Sequence, residues 1–164
     1  MPSQTSVPSQ LAIYLRNREA AARGGYDLLR RTASGQRSRP YAAVLATLVT
    51  EDGEDLEALH RLMRRLGVSP DPLLGTATRL GERLGRLKPN GHLLRRAPLS
   101  DLIEAEAMLD AVRAKAAGWQ ALVPIPAPRW KAPVDPQEYY DRAMSQAERL
   151  SAIHRSVATR LFTP

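Results

Sequence analysis

The chain has 164 residues, a length that suits one domain with its own core and is too short to predict two. Hydrophobic residues make up 43% of it but aromatic residues only 5%, which favours helices packed through Leu, Ala and Val, and the lack of cysteine excludes disulfides, zinc knuckles and thiol catalysis. The net charge of +7 comes almost entirely from arginine and indicates either an anionic partner or the codon usage of a GC-rich genome.

The first residues predict a disordered lead-in and no targeting sequence. Residues 1–8 hold two prolines and several small polar residues. The stretch "MPSQTSVPSQ" has no basic region followed by an apolar one, as a signal peptide would. Apolar runs stay far below the ~18 residues that a membrane span needs. We therefore expect a cytoplasmic protein that does not enter the membrane.

Four long amphipathic helices are predicted in a single domain over residues 9–164. They cover about 10–34, 40–66, 99–120 and 137–162. Ser9 is placed to cap the first helix, Pro40 suits the first turn of the second, and Gly67 ends it. Since only a short break separates the first two helices, they should be antiparallel neighbours.

Two long connections complete the predicted architecture. Residues 72–88 predict a shorter helix that contains several glycines and crosses the bundle. Residues 122–136, "LVPIPAPRWKAPVDP", contain five prolines, which exclude regular helix and predict an extended strap. No segment shows the alternation of a strand. The sequence therefore predicts an all-α four-helix bundle, with two up-down hairpins joined by a long helical crossover and a proline-rich strap before the last helix.

Each long helix carries a carboxylate near its middle, on or beside its apolar stripe. These residues are Glu19, Glu51, Glu106 and Glu148. A buried lone carboxylate is costly, so each needs a cationic partner, a metal ion or a shifted pKa. One interpretation is a metal site made of carboxylates, and the other is pairing with arginines. The candidate arginines include Arg16, Arg23, Arg113 and Arg149.

The arrangement resembles the ferritin-like superfamily. The phrase "LVTEDGEDLEALHRLMRRLGV" is similar to the second helix of bacterial ferritin-like stress proteins, with an acidic middle and a Leu-rich half that ends in LG. The likeness covers roughly residues 9–162 at the level of layout. It implies two helical hairpins, a long crossover, and inward acids that bind two iron or manganese ions.

The sequence departs from that family at the metal ligands. A dimetal bundle uses Glu-x-x-His on two of its helices, because a step of three residues places both ligands on one face. Here Glu51 is followed three residues later by Glu54, and Glu148 by Ser151. Both expected histidines are therefore replaced.

The acidic stretch raises two further questions. The one Glu-x-x-His match, Glu57 to His60, lies beside the apolar stripe, so we expect His60 to face solvent. Gly53 either breaks the second helix, with Thr50 or Asp52 as a new N-cap, or is tolerated within it at about 1 kcal/mol. We expect one continuous helix. His154 lies on the apolar stripe of the fourth helix and is expected to be a core residue with a partner.

A group of arginines forms a second candidate site, a face for an anionic partner. It consists of Arg79, Arg83, Arg86, Arg95 and Arg96. Such a face would bind nucleic-acid phosphates in a salt-sensitive way, or would simply be solvated. Because the region lacks interleaved aromatic residues and a recognition helix, nucleic-acid binding is not favoured.

The leading functional hypothesis is a non-catalytic or degenerate ferritin-like bundle that acts in assembly or protein interaction. We expect a homodimer or a protein partner, which the long amphipathic helix faces would suit, and no cofactor, because both Glu-x-x-His histidines are missing. The sequence also shows no nucleophile set and no phosphate loop. The first alternative is a carboxylate-bridged dimetal protein that binds iron or manganese. The second is a basic bundle associated with nucleic acid.

Overall fold

The computed structural model describes residues 7–36, 39–72, 74, 98–125 and 134–163. It contains helices α1 (Ser9–Gly35), α2 (Ala42–Arg65), α3 (Pro98–Gln120) and α4 (Pro136–Phe162). The ranges predicted from the sequence for these four helices are 10–34, 40–66, 99–120 and 137–162. No strand occurs in the described ranges. The prediction of an all-α bundle is confirmed.

The helix ends follow local sequence signals, with one exception. The Asp135 carboxylate accepts a hydrogen bond of 3.0 Å from the Gln137 backbone N–H, and Pro136 occupies the first turn of α4. Gly67 follows α2 with φ at +67°, a left-handed conformation that glycine adopts without strain. The predicted cap at Ser9 is wrong, because Ser9 is the first residue of α1 and the preceding Pro8 has no side-chain cap bond.

The helices form two antiparallel hairpins. In the first hairpin, Glu19 of α1 meets His60 of α2, and Tyr26 lies beside Gly53, so residue numbers rise on one helix as they fall on the other. α3 and α4 pair in the same antiparallel sense and pack more extensively than any other two helices. The second hairpin therefore forms the larger helix–helix interface.

The two hairpins pack with α1 against α3 and α2 against α4. Gln36 at the end of α1 bonds to Asp101 at the start of α3, so these helices are also antiparallel. α2 and α3 then run in the same direction on opposite corners of the bundle. The end of α2 and the start of α3 therefore lie at opposite ends of the bundle.

Several sequence predictions lie partly or wholly outside the described residues. The helix predicted over 72–88 is described only at residues 72 and 74, and the lead-in only at residues 7 and 8. Of the proline-rich strap, residues 122–125 form turns and 134–135 precede α4.

Two buried apolar clusters form the core, one towards each end of the bundle. The first core cluster is centred on Leu45, Leu48, Met108, Leu150 and Ile153. The second core cluster is centred on Leu15, Leu59, Leu62, Met63 and Trp119. The Trp119 ring stacks on Tyr139 with 4.9 Å between ring centroids. No helix among the described residues is long and apolar enough to span a membrane.

Candidate functional site

The middle of α2 places two acids between the two core clusters. Asp52 and Asp55 are three residues apart and so share one helix face, where their exposed fractions are only 7% and 2%. The helix continues through Gly53, as predicted. Two buried carboxylates side by side repel each other and require a cation.

Lys115 of α3 supplies that cation from the opposite corner of the bundle. Its ammonium group donates to Oδ1 of Asp52, to Oδ2 of Asp55 at 2.6 Å and to Oε1 of Gln146 at 2.5 Å. An ammonium group has three N–H donors, and these three contacts use all of them. Lys115 is therefore fully satisfied inside the protein.

Three α4 side chains complete a network that we call the charged cluster. It consists of Glu51, Asp52, Glu54, Asp55, Lys115, Arg142, Gln146 and Arg149. Gln146 donates to Asp55 at 3.0 Å and to Glu51 at 3.2 Å. Arg149 also binds Glu51 through both carboxylate oxygens, the longer bond being 3.0 Å. The cluster thus joins α2, α3 and α4.

The environment shifts the pKa values of two of these acids in opposite directions. Hydrogen bonds from Arg149 lower the pKa of Glu51, and Gln146 adds to the effect, against a smaller opposing contribution from burial. Burial raises the pKa of Asp52, and the neighbouring Lys115 only partly offsets it. The neighbouring groups therefore compensate the negative charge of Asp52 less completely than that of Glu51.

A cleft of about 620 Å³ opens between α1, α2 and α3 beside the charged cluster. Its lining is mostly apolar. Small residues line the α1 and α3 sides, namely Ala21, Gly24, Gly25, Ala111, Ala114 and Gly118. A Cβ atom added at Gly25 would lie 3.4 Å from the Ala111 side chain, so α1 and α3 approach closely there. The polar part of the wall consists of Asp52, Asp55 and Lys115, together with Tyr14, Asn17 and Arg18 of α1.

Two of the predicted acids lie within ion pairs. Glu19 is fully buried and accepts hydrogen bonds from Arg23, one of them 3.1 Å from Nε, while Nε2 of His60 lies 3.0 Å from the same carboxylate. The prediction that His60 faces solvent is wrong, because its side chain is only 23% exposed and points at Glu19. Glu51 belongs to the charged cluster with Arg149. Of the two interpretations offered by the sequence, pairing with an arginine is the one observed for Glu19 and for Glu51.

The other two predicted acids lie on the surface instead of facing the core. The Glu106 side chain is 54% exposed and lies 3.1 Å from Nε2 of His154, and Glu148 is exposed on α4. Glu19, Glu51, Glu106 and Glu148 share no partner, so the structure does not bring them together. No group of three or more His, Asp or Glu side chains in the described ranges is arranged to hold a metal ion.

The predicted face for an anionic partner lies outside the described residues, since it consists of Arg79, Arg83, Arg86, Arg95 and Arg96.

The burial of Asp52 and Asp55 and their pairing with Lys115 were not predicted from the sequence. A signal was present, because Leu48, Asp52, Asp55 and Leu59 follow one another at helical steps of four, three and four residues. The two aspartates therefore fill the gap in the apolar stripe of α2. Lys115 is one of only three lysines in an arginine-rich chain, which sets it apart but does not indicate its partner.

Comparison of the chain with models of known protein families, with curated proteins and with solved structures finds no match. The ferritin-like relationship therefore stays a prediction. What the structure defines is an all-α four-helix bundle with an internal charged cluster and a cleft beside it.

Proposed function

We propose that this protein is a non-catalytic four-helix bundle that functions by binding a ligand in the cleft between α1, α2 and α3. The observation that carries the proposal is the cleft itself. Its volume of about 620 Å³ falls within the range of roughly 300–1,000 Å³ that is typical of small-molecule sites. Such sites commonly lie between the helices of a bundle and combine an apolar lining with a few polar groups.

The chemistry of the lining supports binding over catalysis. Among the described residues that line the cleft there is no Ser, Thr or His to act as a nucleophile or a nucleophile's base. Lys115 has all three donors engaged, and Asp55 is tied to Lys115, Gln146 and Arg142. A single carboxylate, Asp52, is left at the wall. The wall also holds Tyr14 and Arg18, which contact each other through the ring and the guanidinium. An acid without an adjacent nucleophile or base is better suited to recognising a ligand than to transforming it.

The proposal keeps the non-catalytic character expected from the sequence and puts ligand binding in place of the expected role in assembly or protein interaction. The expected homodimer, protein partner and cytoplasmic location remain predictions alongside it. Light scattering across a range of protein concentrations would measure the oligomeric state directly.

Binding of Nile red, a neutral apolar dye, tests the proposed function. We expect the wild-type protein to increase the dye's fluorescence, and Ala114→Leu to weaken the dye's affinity about tenfold, because the larger side chain takes up space in the cleft. Ala114 is exposed and helical, so leucine there should not prevent folding.

Ala117→Leu is the matched control, because Ala117 is also an exposed alanine of α3 but does not line the cleft. It should bind Nile red as the wild type does. Equal binding by wild type and Ala114→Leu would place the dye elsewhere and would contradict the proposal, and so would no binding at all.

The two alternatives receive less support from the described residues. The dimetal hypothesis requires shared ligands, whereas Glu19, Glu51 and Glu106 each lie against a separate cationic or histidine partner. Metal analysis of protein expressed with iron and manganese tests it: about two ions per chain, lost in Glu51→Ala with Glu106→Ala, would revive it. The nucleic-acid hypothesis depends on arginines outside the described ranges.

A further inference from the structure

We infer that the ligand of the cleft carries a cationic nitrogen, as an ammonium or guanidinium group, on an apolar body of small-molecule size. This inference rests on the proposed binding function and adds the chemical class of the ligand. It is carried by the position of one carboxylate oxygen of Asp52.

Asp52 has one engaged oxygen and one free oxygen. Oδ1 accepts a hydrogen bond from Lys115, and Oδ2 has no partner among the described residues. Although Asp52 as a whole is only 7% exposed, its Oδ2 atom is not fully enclosed by the protein. Because Asp52 lines the cleft, we assign the exposure of its free oxygen to the cleft. A carboxylate oxygen is an acceptor only, so a matching ligand atom must be a hydrogen-bond donor.

The charge of the cluster shows why that donor should be cationic. The carboxylates are Glu51, Asp52, Glu54 and Asp55, and the cations are Lys115, Arg142 and Arg149. Four negative groups therefore face three positive ones. Glu51, Glu54 and Asp55 each contact an arginine, whereas Asp52 shares only Lys115 with its neighbours. The unbalanced negative charge lies at Asp52, on the wall of the cleft.

Arg18 is a further charged residue on the cleft wall, and it has partners of its own. Its Nη1 donates to the Ala114 carbonyl at 3.3 Å, and its guanidinium lies 5.5 Å from the centre of the Tyr14 ring. Its Nε atom is enclosed by the protein and so is not available to a ligand. Both of these partners are neutral, so Arg18 favours an anionic group at its own end of the wall, whereas Asp52 favours a cationic one. Tighter binding of an anionic probe than of a neutral one would assign the charge preference to Arg18 and overturn the inference.

The remaining lining sets the body of the ligand. Leu59, Met108 and Trp119 contribute apolar surface, and the glycines and alanines of α1 and α3 leave space between the helices. Removing an apolar group from water into such a cleft contributes about 25 cal/mol per Å². An apolar body would supply affinity, and the cationic group would supply orientation at Asp52.

Three matched probes separate these contributions. Phenylbutylamine, phenylbutanol and phenylbutyrate share one apolar body and carry a cationic, a neutral and an anionic head group. We expect calorimetric titration of the full-length protein to give the amine a Kd about tenfold lower than that of the alcohol, since a hydrogen bond to a charged group exceeds a neutral one by this order. The anion should bind more weakly than the alcohol.

Two variants assign the preference to Asp52. Asp52→Asn keeps the size of the side chain and removes its charge, so the amine and the alcohol should then bind within about twofold of each other. Glu148→Gln removes one negative charge from the exposed face of α4, outside the cleft, and should leave the tenfold preference unchanged. The comparison of the three probes on wild-type protein needs no variant, so the test stands even if Asp52→Asn folds poorly.

The outcomes distinguish this inference from the proposed function. If the alcohol and the amine bind the wild type equally, and Ala114→Leu weakens both, the cleft binds ligands but the cationic class is wrong. If the preference for the amine persists in Asp52→Asn, the negative charge that causes it is not that of Asp52, and the inference is overturned. If none of the probes binds, both proposals fail.

Discussion

Lys115 Nζ on α3 lies 2.6 Å from Oδ2 of Asp55 on α2, although these two helices occupy opposite corners of the bundle. The long lysine side chain therefore reaches across the centre, between the first and second core clusters. Apolar side chains pack α3 on α4 and α1 on α2, while this ion pair links the two diagonal helices. Removing Lys115 leaves Asp52 buried without a cation, and this has measurable consequences.

The first prediction concerns Lys115. We expect Lys115→Met to lower the free energy of unfolding by about 3–5 kcal/mol, because Asp52 and Asp55 would remain buried without a cation between them. Urea unfolding followed by circular dichroism measures the change. Arg113→Met is the matched control on the same helix, since Arg113 is exposed, and should change stability by less than about 0.5 kcal/mol.

A second variant shows whether the loss comes from charge. Adding Asp52→Asn to Lys115→Met removes the acid that has no other cation, because Asp55 keeps Arg142, and should recover part of the lost stability. A loss of less than about 1 kcal/mol in Lys115→Met would instead mean that the acids are solvated or protonated in the folded protein.

The second prediction concerns Glu51, whose pKa the Arg149 hydrogen bonds lower. A carboxyl group with a lowered pKa in the folded state stabilises the fold above its unfolded pKa and loses that contribution as pH falls through the folded value. Glu51→Gln should therefore be about 1 kcal/mol less stable than the wild type at neutral pH, with the difference shrinking in acid. Denaturant titrations from neutral to acidic pH measure it.

The exposed Glu148 offers the comparison for Glu51. Glu148→Gln removes an acid that is exposed on α4, and its stability curve should follow that of the wild type at every pH. If Glu51→Gln and Glu148→Gln gave the same curve, the Glu51–Arg149 pair would contribute nothing to stability.

The third prediction concerns Asp52, whose pKa burial raises, so the sign is opposite. Between the ordinary aspartate value of about 3.9 and the raised folded value, the folded protein binds more protons than the unfolded chain. The free energy of unfolding of the wild type should decrease across this window as pH rises. In Asp52→Asn the free energy of unfolding should not show this decrease with pH, even if the variant differs from the wild type by a constant amount of stability at every pH. An unchanged slope in the variant would show that Asp52 titrates normally.

The fourth prediction contrasts Gly53, which lies inside α2, with Gly67, which follows the end of that helix. Gly53 lies within the helix, and an added Cβ would lie 3.4 Å from the Tyr26 ring, so Gly53→Ala should stabilise the protein by about 0.5 kcal/mol through helix propensity. Gly67 has φ at +67°, so Gly67→Ala should destabilise it by about 1 kcal/mol although no atom lies within 4 Å of the added Cβ. Melting temperatures should shift in opposite directions. Shifts of the same sign would contradict this interpretation.

The helices were predictable because their signals are local. Apolar residues at three- and four-residue steps define each helix. Gly67 follows the end of α2, and Pro136 is the first residue of α4. The cap at Ser9 was not predictable in the same way, because a serine caps a helix only where its own backbone is non-helical, and Ser9 is already part of α1.

The site was less predictable because it depends on which side chains meet across helices. Arginine pairing of Glu19 follows from its four-residue spacing to Arg23, a local relationship. The contact of Asp52 with Lys115 spans 63 residues and depends on helix rotation, which the periodicity of one helix does not determine. Glu106 and Glu148 show the same limit, since each is close enough to an apolar stripe to be assigned inward and lies outward in the structure.

The separation of the bundle into two hairpins has a consequence for the order in which it folds. Contacts within each hairpin can form over shorter chain separations, whereas the Lys115–Asp55 contact closes a loop of 60 residues. We expect the hairpins to be largely formed in the folding transition state and their diagonal link to form after it. In stopped-flow measurements, Lys115→Met should then accelerate unfolding far more than it slows folding. The charged cluster would in that case determine how long the folded protein persists, and the hairpins how fast it forms.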